Sequence, residues 1–194
     1  MDDAFRRIGR GWKTGGRQKI NKYVIVIING SLGVGKSTVS EALLEKLSPA
    51  VLLEGDALGD VQPFQIYDAE RIAYLYRTIS HLLAFHVQNG YQNIIINYVF
   101  ESEASLRALV TQVESHQVPV YCFYLTCEAT IQAQRIRRRN NNQVDWELQR
   151  YPVLNRIQAA ARKKDFLGWE VPTSHRTAEA VAEDLYQRML TEER

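Results

Sequence analysis

The chain has 194 residues, 45% of them hydrophobic, with 24 Lys and Arg against 22 Asp and Glu. This is the size and apolar content of one domain able to bury a full core, and it excludes a disordered body. The net charge of +2 hides an asymmetry: residues 1–22 hold seven Lys or Arg against two Asp, leaving 17 against 20 in the remainder. That balance argues against a broad nucleic-acid surface on the folded domain.

Residues 1–22 contain Gly9, Gly11, Gly15 and Gly16 and show no sustained period. They read as a flexible basic N-terminal extension, with Trp12 as its one docking residue, preceding a domain over 23–194. The segment lacks the apolar core of a signal peptide, and no later run is long enough to span a membrane, so a cytoplasmic protein without a membrane partner is expected. Tyr23–Ile28 is a continuous, mostly β-branched run suited to a strand buried on both faces of a parallel sheet. Gly30–Thr38, GSLGVGKST, then fits the phosphate-binding pattern G-x-x-x-x-G-K-[ST] with no forced position. A helix over Thr38–Leu47 follows, stopped by Ser48-Pro49.

Ala50–Asp56 reads as a second strand ending in the carboxylates Glu54 and Asp56. Asp68–Asn89 carries apolar residues at a 3.6 period with Gly90 as its stop, which predicts a long amphipathic helix. Asn93–Phe100 is a third strand, Ser102 can cap the next helix, and Val118–Leu125 is a fourth strand. From Glu128 the chain turns helical and basic at Arg135, Arg137, Arg138 and Arg139, breaks at Asn140–Asn142 and resumes from Trp146 to about Arg162. Trp169–Pro172 makes a short fifth strand, and Thr177 caps a last helix over Ala178–Leu190. Alternating strands and helices imply an α/β fold with a parallel sheet, helices on both faces, and ligands at the carboxyl ends of the strands. Cys122 and Cys127, five apart, point to opposite faces of the fourth strand and read as free thiols in a reducing compartment. His81, His86, His116 and His175 show no metal-ligand spacing.

The chemistry follows from atom types at these positions. Backbone N–H groups of Gly30, Gly33, Val34 and Gly35 can surround a polyphosphate, Lys36 adds an ammonium, and Ser37 and Thr38 open a helix whose N-terminal dipole favours anions. ATP is the expected nucleotide, with Mg²⁺ held by Ser37 and Asp56. No Asn-Lys-x-Asp motif follows the loop, which disfavours a GTPase, and the chain is too short for the additional subdomains of AAA-type machines or motors. Asp56 is placed to accept a proton from a substrate hydroxyl, with Glu54 beside it on the same strand face to bind substrate or water-held Mg²⁺. Gly55 leaves room for close approach. Arg135 and Arg139, four apart on one helical face, suit a lid over about 132–146 that stabilises the transferring phosphoryl group and excludes water, with Asn140–Asn142 as its hinge.

On GSLGVGKST, on Leu53-Glu54-Gly55-Asp56, on the arginines of Gln134–Arg139 and on the segment Thr173–Ala182, the chain resembles the P-loop nucleoside-monophosphate-kinase-like small-molecule kinases. That group includes shikimate kinase, gluconate kinase and chloramphenicol phosphotransferase-like proteins. The resemblance covers roughly residues 23–190. It implies a P-loop NTPase three-layer sandwich with five parallel strands in the order 2-3-1-4-5, and adenine near Arg139 and the loop before Thr177. It implies an acceptor lying between Asp56, the lid and Asn97-Tyr98. The chain departs from the group at Asn97, where members often carry an aspartate that helps hold Mg²⁺ through water. The residues therefore support an ATP-dependent kinase for a small-molecule hydroxyl. Two alternatives stay open: a nucleotide or nucleic-acid 5′-hydroxyl kinase, suggested by the basic extension, and a catalytically weak ATP-binding regulatory module, suggested by Asn97. The acceptor pocket falls on Ala57–Tyr67 and Tyr98–Glu101, with Phe64, Tyr67 and Tyr98 as ring-stacking candidates or core packing.

Overall fold

In a computed structural model, which describes residues 23–63, 65–116, 118–139 and 142–192, the apolar runs form five parallel strands. These are β1 Ile25–Asn29, β2 Ala50–Glu54, β3 Asn93–Asn97, β4 Val120–Thr126 and β5 Trp169–Pro172. They lie in the order β2-β3-β1-β4-β5, the arrangement of the P-loop NTPase fold. The helices are α1 Lys36–Lys46, α2 Gly55–Leu58, α3 Ala69–Gln88, α4 Glu103–Glu114, α5 Ala129–Arg137, α6 Val144–Ala161 and α7 Ala178–Glu192. The extension 1–22 with Trp12, and Phe64, Asn140 and Asn141, lie outside the described residues.

The period of two along each strand sends alternate side chains to opposite faces, and the helices cover both. Ile25, Ile27, Ile94 and Ile96 pack with Leu75, Ile79 and Leu83 of α3 and with Leu106 and Leu109 of α4. Val26, Ile28, Ile95 and Phe123 pack with Val39 and Leu43 of α1 and with Val181, Leu185 and Met189 of α7. Cys122 lies in the first of these clusters and Cys127 packs on the second, so the two free thiols occupy opposite sides of the sheet. Asp68 caps α3 by accepting from the Arg71 amide at 2.7 Å, and Ser102 forms a capping box with Ser105.

Two strands stop earlier than the sequence predicts. β2 ends at Glu54 and the chain turns into α2 at Gly55, so Glu54 and Asp56 do not share a strand face. Gly55 packs against Tyr98 at this turn: a Cβ on Gly55 would stand 2.7 Å from Cδ2 of the ring. Gly55 thus makes room for a neighbouring aromatic side chain rather than for a ligand. β3 ends at Asn97, after which the Phe100 amide donates to the side chain of Asn29 at 2.9 Å.

Asn29, fully buried at the last residue of β1, ties several segments together. Its Oδ1 accepts from the amides of Gly30 at 2.7 Å and Phe100 at 2.9 Å and from Gln158 Nε2 at 3.3 Å, and its Nδ2 donates to Leu167 O at 3.1 Å. Asn29→Ala orphans two buried amides and a carbonyl. At about 1–3 kcal/mol for each buried group left unpaired, we expect a loss of about 3 kcal/mol or more in urea unfolding. A loss under about 1 kcal/mol would show that the surroundings re-pair these groups without it.

Candidate active site

The phosphate loop is built as its glycines demand. Gly33 (φ 75°) and Gly35 (φ 101°) occupy left-handed backbone that other residues rarely adopt. A Cβ on Gly33 would also come within 2.9 Å of Gln132 O. Gly35 is the N-cap of α1, whose first turn holds no acidic residue. Lys36 Nζ turns back onto the loop and donates to Gly30 O at 3.0 Å and Ser31 O at 3.2 Å. Burial holds its ammonium below the usual lysine value of 10.5, opposed chiefly by the charge of Asp56. A cationic side chain whose hydrogen bonds among the described residues go to carbonyls of its own loop, at the N-terminus of an acid-free helix turn, fits a polyphosphate.

Two depressions open on this edge of the sheet. A small pocket of about 70 Å³ is lined by Gly33, Gly35, Lys36, Ser37, Glu54, Asp56, Asn97 and Arg139. A larger cavity of about 820 Å³ lies beside it, bounded by Asp56, Ala57, Asp60 and Gln62, by Arg71, by Tyr98, Val99 and Glu101, and by Trp146, Glu147 and Arg150 of α6. Among the described residues Asp56 alone lines both. The register brings Glu54 opposite Asn97, and Asn97 Nδ2 donates to Glu54 Oε1 at 3.2 Å. Glu54 and Asp56 therefore converge on one pocket even though they leave the strand differently. Glu54, Asp56 and Ser37 offer hard oxygen donors of the kind Mg²⁺ takes. No group of three or more His, Cys, Asp or Glu that could hold a metal ion occurs among the described residues. An ion here would complete its shell with oxygens from phosphate and water.

The arginines separate. Arg139 lines the small pocket and donates to Glu147 Oε1 at 2.6 Å, whereas Arg135 lines neither depression. Its Nη1 donates to Val34 O and Thr173 Oγ1, both at 3.1 Å, and its Nη2 to Thr173 O at 2.9 Å. Arg135 thereby braces the phosphate loop against the segment after β5. α5 stops at Arg137 with Arg138 as C-cap, so Arg135 and Arg139 do not share a helical face. The span expected as a lid from 132 begins on a packed helix, with Gln132, Ala133 and Ile136 buried. Thr38 is exposed, and Val34 is buried with its carbonyl held by Thr173 Oγ1 at 2.7 Å. His175 is exposed beside Glu128 and lines neither depression.

Sequence reasoning passed over the residues of α3 and α6 that wall the cavity. Arg71 continues the buried α3 stripe Leu75, Ile79, Leu83 at four-residue spacing, and Glu147 continues the α6 stripe of Leu154 and Gln158. For Arg71, a charge on an otherwise apolar buried face was the available signal. Arg71 donates to Gln65 O, Gly59 O and Ile66 O at 2.8–3.1 Å and hydrogen-bonds Tyr98, whose hydroxyl pKa is raised by burial.

The family model described as AAA domain matches residues 25–163. Among solved structures, the tunicamycin resistance protein of Deinococcus radiodurans is 18% identical with a TM-score of 0.63, over 86% of this chain and 95% of that one. A sugar kinase from Janibacter sp. HTCC2649 is 15% identical with a TM-score of 0.62, over 89% and 99%. Shikimate kinase from Acinetobacter baumannii, in complex with shikimate, is 19% identical with a TM-score of 0.57, over 87% and 94%. No curated protein matches the chain. At these identities the likeness is one of fold alone, and that fold is the P-loop NTPase fold. Despite the AAA label, the described residues form one sheet with its helices and hold no additional subdomain.

Lys36 gives a test with two readouts. Its folded-state pKa lies below 10.5, so between those values the unfolded chain holds more protons and stability rises with pH. Lys36→Met should flatten that rise relative to the unaltered protein in urea unfolding across alkaline pH; equal slopes would show that the ammonium titrates alike in both states. The same variant should bind ATP roughly tenfold or more weakly, by the worth of one charged hydrogen bond.

Proposed function

The chain belongs to the AAA domain family, and within it we propose an ATP-dependent kinase that moves the γ-phosphoryl group of ATP to a hydroxyl of a small molecule. The observation that carries this reading is the position of Asp56, which lines both the phosphate-loop pocket and the 820 Å³ cavity. A cavity of that size is in the range that takes a drug-sized ligand, and the residue common to the two depressions is a carboxylate. In the proposed reaction the Asp56 carboxylate takes the proton of the acceptor hydroxyl. The acceptor oxygen forms a bond to the γ-phosphorus as the bond to the β–γ bridging oxygen breaks, and ADP leaves.

The other assignments follow from what each side chain can reach. Lys36 exchanges the carbonyls of Gly30 and Ser31 for phosphate oxygens, while the loop amides of Gly33, Val34 and Gly35 and the first turn at Ser37 and Thr38 hold the remaining charge. Arg139 is the guanidinium beside the phosphate pocket. Arg135 takes a positioning role, holding Val34 so that the loop keeps its shape. Mg²⁺, when bound through Ser37 and Asp56, supplies charge neutralisation of the phosphates. Glu54, hydrogen-bonded to Asn97, restores next door the negative charge that an aspartate at position 97 would have given. That pairing favours an enzyme over a regulatory module. No helix of the described residues is long and apolar enough to cross a membrane. The free state of both cysteines supports action in the reducing cytoplasm.

The test uses γ-labelled ATP with Mg²⁺ and a low-molecular-weight metabolite extract, followed by chromatography of the label. Label should pass to a new organic phosphate. Asp56→Asn should lower the rate by about 10²- to 10⁴-fold, the usual worth of a general base, with ATP affinity little changed. Undiminished transfer in that variant would remove Asp56 from the chemistry.

A further inference from the structure

The lining of the large cavity carries information about the acceptor. Asp56, Asp60, Glu101 and Glu147 face Arg71 and Arg150, and both arginines are already engaged. Arg150 Nη2 donates to Glu101 Oε1 at 2.7 Å and to the Tyr67 hydroxyl, and Arg71 donates to three backbone carbonyls. An incoming carboxylate or phosphate would therefore meet an excess of negative charge and arginines committed elsewhere.

Glu147 is the group that asks for a partner. Its side chain is only 6% exposed; Arg139 occupies Oε1, while Oε2 is buried without a hydrogen-bond partner among the described residues. A buried carboxylate oxygen left unpaired is costly, and a cationic N–H donor is its best complement. The adjacent Trp146 also lines the cavity and is 48% exposed, offering the aromatic face that most favours a cation. Asp60, exposed on the wall and without an ion pair among the described residues, adds attraction for positive charge.

We propose that the phosphate acceptor is an amine-bearing alcohol whose protonated amine is held by the Glu147 carboxylate and the Trp146 ring, while its hydroxyl is presented to Asp56. The proposal rests on the kinase reading of the same site and narrows it to a substrate class. It sets the cavity apart from one built for an acidic acceptor, which would need a free arginine.

The test compares matched probes by calorimetry in the presence of a non-hydrolysable ATP analogue: glucosamine and kanamycin as amines, N-acetylglucosamine and glucose as neutral counterparts, glucuronate as an anion. An amine should bind more tightly than any neutral probe by roughly 5- to 150-fold, the range for leaving one buried acceptor unpaired. Glu147→Gln should erase that preference while the thermal melt stays cooperative. Trp146→Leu and Asp60→Asn, on exposed positions that do not hold the core, should each reduce it. The proposal is overturned if no amine binds, if glucuronate or a neutral probe binds as tightly, or if Glu147→Gln leaves the preference unchanged. Label transfer from γ-labelled ATP separates the two readings. An amine that binds but is never phosphorylated removes the kinase reading alone, whereas transfer to glucuronate in preference to the amines removes this proposal alone.

Discussion

The arrangement depends on an amide network buried where the sheet ends, with Asn29 at its centre. A parallel sheet leaves its carboxyl edge as a row of loops, and each loop brings backbone groups that need partners once covered. Asn29 and Gln158, both fully buried, satisfy that need between the phosphate loop, the segment after β3 and α6. Gln158 Nε2 reaches Phe100 O at 2.9 Å as well as Asn29. A second amide pair repeats the device nearby: Gln132 Nε2 donates to Leu32 O at 2.8 Å, and Asn155 Nδ2 donates to Gln132 Oε1 at 2.7 Å. Neutral amides suit the task because each carries donors and an acceptor, and none pays the cost of a buried charge.

Fixing α6 at its C-terminal half has a consequence at its other end. Asn155 and Gln158 hold the C-terminal half of α6 to the phosphate loop and the β3 edge, and across Pro152 the same helix carries Trp146, Glu147 and Arg150 to the cavity wall. Arg150 then meets Glu101, which follows β3, and closes the opposite wall. The floor comes from β2, where the turn at Gly55 against Tyr98 swings Asp56 off the strand line and into the gap between the two depressions. The site is thus a product of where strands stop, and the stopping points are set by side-chain contacts across the edge.

The scaffold was legible because its signals are local. Continuous β-branched runs, a glycine-lysine loop at fixed spacing, and caps at Ser102 and Thr177 each encode an element within a few residues, and their alternation implies a parallel sheet. The strand order entered through resemblance and agrees with the structure. The cavity walls were harder to read because they depend on long-range partners. Nothing near Gly55 in sequence announces Tyr98, and nothing near Arg135 announces Thr173. Arg135 and Arg139 look equivalent by spacing, yet α5 ends between them and sends one to the loop backbone and the other to Glu147. Arg71 was masked by a simpler cause: a period search that counts apolar residues passes over a charge lying on the apolar face, and the buried face of α6 around Glu147 is itself largely polar.

The ion pair between Arg139 and Glu147 is the direct side-chain link between the walls of the two depressions, since the first lines the small pocket and the second the large one. Any anion that draws Arg139 toward the phosphate loop leaves Glu147 with two buried oxygens to satisfy instead of one. A cation arriving in the large cavity relieves that cost, and the relief is greater when the small pocket is already filled. By linkage the same free energy must strengthen anion binding once the cation is present. Communication between the two pockets thus requires no displacement of the sheet or of α6. It follows from one carboxylate buried at the wall of the large cavity, with too few donors among the described residues to satisfy it.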